Sequence, residues 1–154
     1  MLDPAVAWPI LEELKRAPEQ GVALRQRAMQ MLSGLPGYDW CGIYRLEGDE
    51  LVLDAYVGAE TDHTRIPVGR GVCGTAIAEN RNQVIVDVRI LENYLACSTQ
   101  TRSELVVLIR NGASILGQVD IDGHRVDQFN RSDEAFLEAL AEILASRWTE
   151  ENVG

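Results

Sequence analysis

The chain has 154 residues, 46% of them hydrophobic, enough to bury a core without disulfide staples, and a single domain over residues 1–154 is expected. Its formal charge of −10 repels phosphate backbones and anionic lipid, so no nucleic acid and no membrane surface is expected as a partner. The longest apolar run, Leu105 to Ile109, is too short to span a bilayer, and Met1-Leu2-Asp3-Pro4 lacks a secretory signal's basic start and apolar stretch; the expected location is cytoplasmic, with thiols kept reduced.

Asp3-Pro4 reads as a helix start, with proline at the first helical position and Val6, Ile10, Leu11 and Leu14 as the apolar stripe. A second helix runs from near Glu19 to Leu32 and stops at Gly34. Strands follow at Tyr38 to Leu46 and Leu51 to Val57, joined through Glu47-Gly48-Asp49-Glu50. Gly71 to Glu79 reads as a short helix, Gln83 to Val88 as a strand, and Arg89 to Arg102 as a polar loop of the kind on which chemistry is mounted. Strands Ser103 to Ile109 and Ser114 to Asp122 flank a turn at Asn111-Gly112. Asn130 caps a final helix, with Asp133 at its third position and Phe136, Leu137, Leu140, Ile143, Leu144 and Trp148 on one face. The chain contains no repeat, low-complexity tract or linker.

Cys73, in Gly71-Val72-Cys73-Gly74-Thr75, and Cys97, in Tyr94-Leu95-Ala96-Cys97-Ser98, sit among small and polar residues. Buried structural cysteines keep hydrophobic company, so these surroundings point to reachable, reactive thiols. Cys41 differs: alternation in Trp40-Cys41-Gly42-Ile43-Tyr44 puts it on the face of Ile43, a core position. With no Cys-x-x-Cys and no paired histidines, no metal site is expected; no cofactor is assigned, and His63 and His124 are given no catalytic role.

In the strands around Asn111-Gly112, Leu105, Val107 and Ile109 share one face, and Ile115, Val119 and Ile121 share one face, so these odd-numbered sets must lie together. A two-residue turn at Asn111-Gly112 would pair odd with even; a three-residue loop ending in a left-handed Gly112 keeps the apolar face whole. Glu104, Asp120 and Asp122 then point to the opposite side of the sheet. Trp40 and Tyr44, opposite Cys41 and Ile43, are placed on that acidic side. Val106, Leu108 and Leu116 share the even-numbered face and argue for its partial burial.

The run Gly69-Arg70-Gly71-Val72-Cys73-Gly74-Thr75-Ala76, followed by Ala96-Cys97, Ser103-Glu104, Asp120-Ile121-Asp122 and the Phe129-Asn130 helix start, resembles the free methionine-(R)-sulfoxide reductases. These are enzymes with a GAF fold, and the likeness covers nearly the whole chain. The resemblance implies an α+β architecture: a six-stranded antiparallel sheet, terminal helices on one face and a ligand pocket on the other. It implies that Cys97 is the catalytic nucleophile and Cys73 a resolving cysteine. Glu104, Asp120 and Asp122 match acidic residues that hold the substrate and assist the sulfoxide, and Trp40 and Tyr44 match aromatics around its methyl group and side chain. The implied activity is reduction of free methionine sulfoxide through a sulfenic acid and an intramolecular disulfide, reopened by thioredoxin. The chain departs from the pattern at His63, where the family often has another resolving cysteine, at Ser98, at Leu108, and in the loop Ser98 to Arg102.

The chemistry suits these residue types. A thiolate attacking sulfoxide sulfur needs the departing oxygen protonated, and clustered carboxyls raise one another's pKa enough to keep one of them neutral. The same cluster can pair with the ammonium group of a zwitterionic substrate. Cys73, in the first turn of the Gly71 helix, has the helix dipole to favour its thiolate; Cys97 has no such help. Two other classes stay open on the residues alone: a non-catalytic GAF sensor binding a small metabolite or nucleotide in the same pocket, and an interaction module forming a homodimer through its terminal helices.

Overall fold

The structure is a computed structural model that describes residues 2–91, 94 and 100–149. Cys97 and Ser98 lie outside the described residues. Four helices, α1 (Pro4–Arg16), α2 (Gly21–Leu32), α3 (Gly71–Glu79) and α4 (Arg131–Ser146), accompany strands β1 (Trp40–Glu47), β2 (Glu50–Val57), β3 (Arg65–Pro67), β4 (Gln83–Ile85), β5 (Ser103–Asn111) and β6 (Ser114–Gly123). The strands form one six-stranded sheet in the order β3-β2-β1-β6-β5-β4, with every neighbouring pair antiparallel. This is the α+β arrangement expected. No helix among the described residues is long and apolar enough to cross a membrane.

Helix starts follow the expected chemistry. The Asp3 side chain accepts from Ala5 N ahead of Pro4, and Asn130 and Asp133 form a reciprocal capping box on α4. The α1 stripe is Ala7, Ile10, Leu11 and Leu14, the i, i+3, i+4, i+7 series of one helical face. Val6 lies off that face and is 49% exposed, which corrects its place in the stripe. Gln20 stays extended, so α2 starts at Gly21 rather than Glu19. The strand expected up to Val88 ends at Ile85, because Asp87 caps a single 3₁₀ turn at Val88–Ile90 by accepting from Arg89 N. Trp148 lies past the end of α4, where the Arg25 guanidinium stacks on its ring at 4.2 Å.

The β5–β6 hairpin reaches its register by a route different from the one expected. Its loop is the two-residue Gly112-Ala113, with Asn111 opposite Ser114 and Gly112 at φ 61°, a left-handed conformation that favours glycine. A bulge between Ile109 and Arg110 then leaves Leu116 without a partner and restores odd-to-odd pairing, Ile109 with Gly117, Val107 with Val119 and Leu105 with Ile121. The bulge also exchanges two side chains. Leu116 packs on the helix-side core and Ile115 on the opposite cluster, the reverse of what strict alternation predicts.

One face of the sheet carries Cys41, Ile43, Leu105, Val107, Ile109, Val119 and Ile121, all fully buried beneath α1, α2 and α4. The other face carries a second cluster, in which Trp40, Tyr44, Val106 and Leu108 pack with Leu51, Ile66 and the α3 residues Val72, Cys73 and Ala76. That face is buried, not partly exposed.

Candidate active site

The register of β1, β6 and β5 sets functional side chains in rows across the α3 side of the sheet. Trp40, Asp122 and Glu104 form one row; Gly42, Asp120 and Val106 the next; Tyr44, Gln118 and Leu108 the third. Glu104, Asp120 and Asp122 therefore share a face, as alternation requires, and they are 3%, 0% and 1% exposed. Glycine at position 42 is required by a close approach: a Cβ there would lie 2.3 Å from the Trp40 ring, which lies over this position. Trp40 also stacks on Tyr56 at 5.7 Å and donates from Nε1 to Ala59 O at 2.9 Å.

Cys73 is the third residue of α3, which brings its thiol down onto the acidic rows. Its Sγ donates to Glu104 Oε2 at 3.9 Å, and Gln118 Nε2 donates to Cys73 O at 3.0 Å. Cys73 Sγ and one oxygen each of Glu104 and Asp120 all lie within 4.8 Å of one another. Neither Asp120 oxygen has a well-formed hydrogen bond. Burial raises the Asp120 pKa, an effect its polar neighbours Glu104 and Cys73 offset only in part.

The thiols are not both reachable in the way their sequence neighbours suggest. Cys73 is 5% exposed, because the seating of α3 packs it in one buried cluster with Tyr44, Val106 and Leu108 of the sheet. Cys41 sits in the opposite core, where burial pushes its thiol pKa up. Cys41 is a free thiol.

Trp40 and Tyr44 are on the acidic side, but they pack rather than line the cavity beside the thiol. That cavity, about 10 Å³, is lined by His63, Ile66, Arg70, Gly71, Val72, Cys73 and Glu104. Tyr44 instead donates its hydroxyl to His63 O at 2.8 Å, holding the segment that carries His63. One buried polar residue of this face, Gln118, was missed by sequence reasoning. Gln118 is fully buried on the acidic face, and its place two residues before Asp120 was the available signal. His63, which stands where the family often has a further cysteine, lies between β2 and the unpredicted β3 and lines the cavity beside Cys73; His124 is exposed, its backbone N–H donating to Asp39.

Comparison with known proteins agrees with this fold. The GAF domain family matches residues 22–148. The free methionine-R-sulfoxide reductase of Escherichia coli (strain K12) is 42% identical over 106 residues, which is 69% of this chain and 64% of that protein, so the match spans less than two thirds of that relative. The structure of free methionine-R-sulfoxide reductase from Neisseria meningitidis in complex with its substrate superposes with a TM-score of 0.84 at 34% identity, covering 93% of this chain and 86% of that one. The type II free methionine-R-sulfoxide reductase from Thermoplasma acidophilum gives a TM-score of 0.78 at 36% identity, covering 89% and 93%.

With its sheet order and buried acidic face, the chain belongs to the GAF domain family. Within it, the identities and coverage group the chain with the free methionine-R-sulfoxide reductases.

Proposed function

We propose that this protein reduces free L-methionine (R)-S-oxide to methionine, using residues 1–154 as one GAF domain, in the cytoplasm, with thioredoxin as the reductant. The observation that carries the reading is the gathering of Glu104, Asp120 and the Cys73 thiol within 4.8 Å on a buried sheet face that Asp122 shares. The substrate-bound relative supports an enzyme over a sensor.

In the proposed reaction the Cys97 thiolate attacks the sulfoxide sulfur. A carboxyl of the cluster protonates the sulfoxide oxygen, which passes to Cys97 as a sulfenic acid while methionine leaves. Asp120 suits the proton donor, since burial favours its neutral form. Glu104 and Asp122 are assigned to the substrate's ammonium group, with Trp40 and Tyr44 shaping the apolar wall. The Cys73 thiolate then attacks the Cys97 sulfur and expels the oxygen as water, forming a disulfide that two thiols of thioredoxin reopen.

The test is NADPH consumption through thioredoxin reductase and thioredoxin with each epimer of free methionine sulfoxide. Turnover of the R form alone is expected. Ligand-dependent thermal stabilisation without turnover would instead select the sensor reading.

A further inference from the structure

We propose that His63 is the general base for disulfide formation, taking the proton from the Cys73 thiol before that sulfur attacks oxidised Cys97. The inference deepens the reductase reading and rests on it for the step that His63 serves. Cys73 Sγ donates to Glu104 Oε2 at 3.9 Å. A carboxylate is too weak a base to keep a thiol proton near neutral pH, and its charge opposes the thiolate. The place of Cys73 as third residue of α3 favours the thiolate, but its proton still needs a destination.

Position, restraint and chemistry converge on His63. It shares the wall of the cavity beside the thiol with Cys73 and Glu104, and a volume of about 10 Å³ gives room for about one water. Groups of that wall therefore reach one another through a single water, which is within the range of general-base transfer. The backbone of His63 is pinned at both of its polar groups: its carbonyl accepts from the Tyr44 hydroxyl at 2.8 Å, and its N–H donates to Thr61 Oγ1 at 3.1 Å. The charged and titratable groups facing it are Arg70 and Cys73 from the start of α3 and Glu104 from β5, with Asp120 of β6 next to Glu104. Among these residue types histidine is the one that ordinarily exchanges a proton between about pH 5 and 8, whereas an arginine stays protonated. Half-buried, His63 also keeps contact with solvent, and the Glu104 carboxylate offsets the charge of an imidazolium.

The step balances. The Cys73 proton passes through one water to the imidazole, and the thiolate attacks the sulfur of the Cys97 sulfenic acid. The S–S bond forms as the S–O bond breaks, and the imidazolium gives its proton to the departing hydroxide, which leaves as water. Cys73 is oxidised, the Cys97 sulfur is reduced to the disulfide level, and His63 ends neutral, as it began. Where relatives often carry a thiol, this chain carries a base for the thiol that remains.

Two measurements need no turnover. In the reduced full chain, alkylation of Cys73 by iodoacetamide, followed by peptide mass mapping, should rise through an inflection between about pH 5 and 8 in wild type. In His63→Gln the inflection should lie about one pH unit or more higher, with the rate at pH 7 lower by about tenfold. Proton NMR reads the same coupling with His63 intact, which covers the case of a His63 variant that does not fold. The chain has 2 histidines, and the titration midpoint of His63 should move in Cys73→Ser while that of His124, whose ring lies 3.7 Å from Asp39, stays in place. The third measurement is rapid-quench analysis with one equivalent of free methionine (R)-sulfoxide. In His63→Gln, disulfide formation should slow by about 10²-fold or more relative to methionine release, with the sulfenic acid trapped between the two steps. An alkylation profile shared by wild type and His63→Gln, no alkylation of Cys73 at any pH, an unmoved His63 midpoint, or both chemical steps slowed equally would each overturn the assignment. If wild type releases no methionine, the reductase reading falls, and the alkylation and NMR profiles still decide whether His63 and Cys73 share a proton.

Discussion

Replacing Asp120 by asparagine is expected to stabilise the protein while disabling the proposed chemistry. Asp120 is fully buried, its oxygens lack well-formed hydrogen bonds, and its polar neighbours Glu104 and Cys73 offset the burial only in part. An unsatisfied buried polar group costs about 1–3 kcal/mol, and the asparagine amide keeps the shape while offering a donor to the Glu104 carboxyl. A gain of about 1–2 kcal/mol, at about 2–4 °C per kcal/mol for a chain of this size, raises Tm by about 2–8 °C. The gain depends on pH with a definite sign. Burial raises the native pKa of Asp120, so its favourable contribution is complete below the unfolded pKa and is lost as pH rises through the native one. The Asp120 contribution to wild-type stability therefore falls from about pH 4 upward, at up to about 1.4 kcal/mol per pH unit, until the native pKa is passed. Urea unfolding of both proteins between pH 3.5 and 8 should show an advantage for Asp120→Asn that is present at neutral pH and disappears in acid. In the coupled assay, losing the proton donor assigned to Asp120 lowers kcat/KM by about 10²- to 10⁴-fold. A variant less stable than wild type at pH 7, or a stability difference that ignores pH, would refute the reasoning.

Cys97→Ser should abolish even a single turnover, whereas Cys41→Ser, altered only in the opposite core, should retain nearly full activity; quench-flow measurement of methionine formed per enzyme decides between them. One equivalent of substrate should leave a Cys73–Cys97 cross-link by peptide mass mapping, and Cys73→Ser should stall as a trappable sulfenic acid; unchanged thioredoxin-driven turnover in that variant would mean direct resolution by an external thiol. Burial raises the pKa of both the Cys41 thiol and the Tyr38 hydroxyl, so stability is lost as pH rises, from about pH 8.5 for the thiol and from about pH 10 for the hydroxyl, at up to about 1.4 kcal/mol per unit for each group; a flat urea-midpoint profile from pH 8 to 11 would contradict this. Arg25→Ala should cost about 3–5 kcal/mol, since it strands the 3%-exposed Asp54 side chain and removes the stack on Trp148; a loss under 1 kcal/mol in urea unfolding would show that Arg45, Asp54's other partner, suffices.

The parts of this architecture that were legible in the sequence are those with a full period of pattern. Alternation over Leu105 to Ile109 and Val119 to Ile121 sorted the acids from the core without any coordinates, and Gly71 and Glu79 bounded α3 as expected. Three residues are too few to alternate, so the edge strand Arg65–Pro67, with a proline at its end, left no signal. The Leu116 bulge was hidden because a bulge and a longer loop restore the same parity; Ile115 and Leu116 are both apolar, and either could face the helices. Cys73 was misread as reachable because its neighbours Gly71, Gly74 and Thr75 are small. What buries it comes from elsewhere in the chain: the sheet face beneath it and the close seating of α3. The acids were found by parity, whereas His63 and Gln118 join them only through tertiary contact.

The costly face and the stabilising face belong to the same strands, and that coupling explains why three buried carboxyls can be kept. Glu104 is followed by Leu105, and Asp120 and Asp122 flank Ile121, so every acid is anchored by a neighbour fully buried under the helices. Sliding β6 by one residue against β5 would send Asp120 and Asp122 into the apolar core and lift Val119 and Ile121 out of it. Placing two charges there costs several kcal/mol each, beyond the lost apolar burial. The alternative register is therefore closed on both counts, and the rigidity that holds the acids in place comes from the core side. The bulge at Leu116 lies between the hairpin loop and this locked stretch. Its parity change is absorbed before Gly117, where no acid has to be aimed.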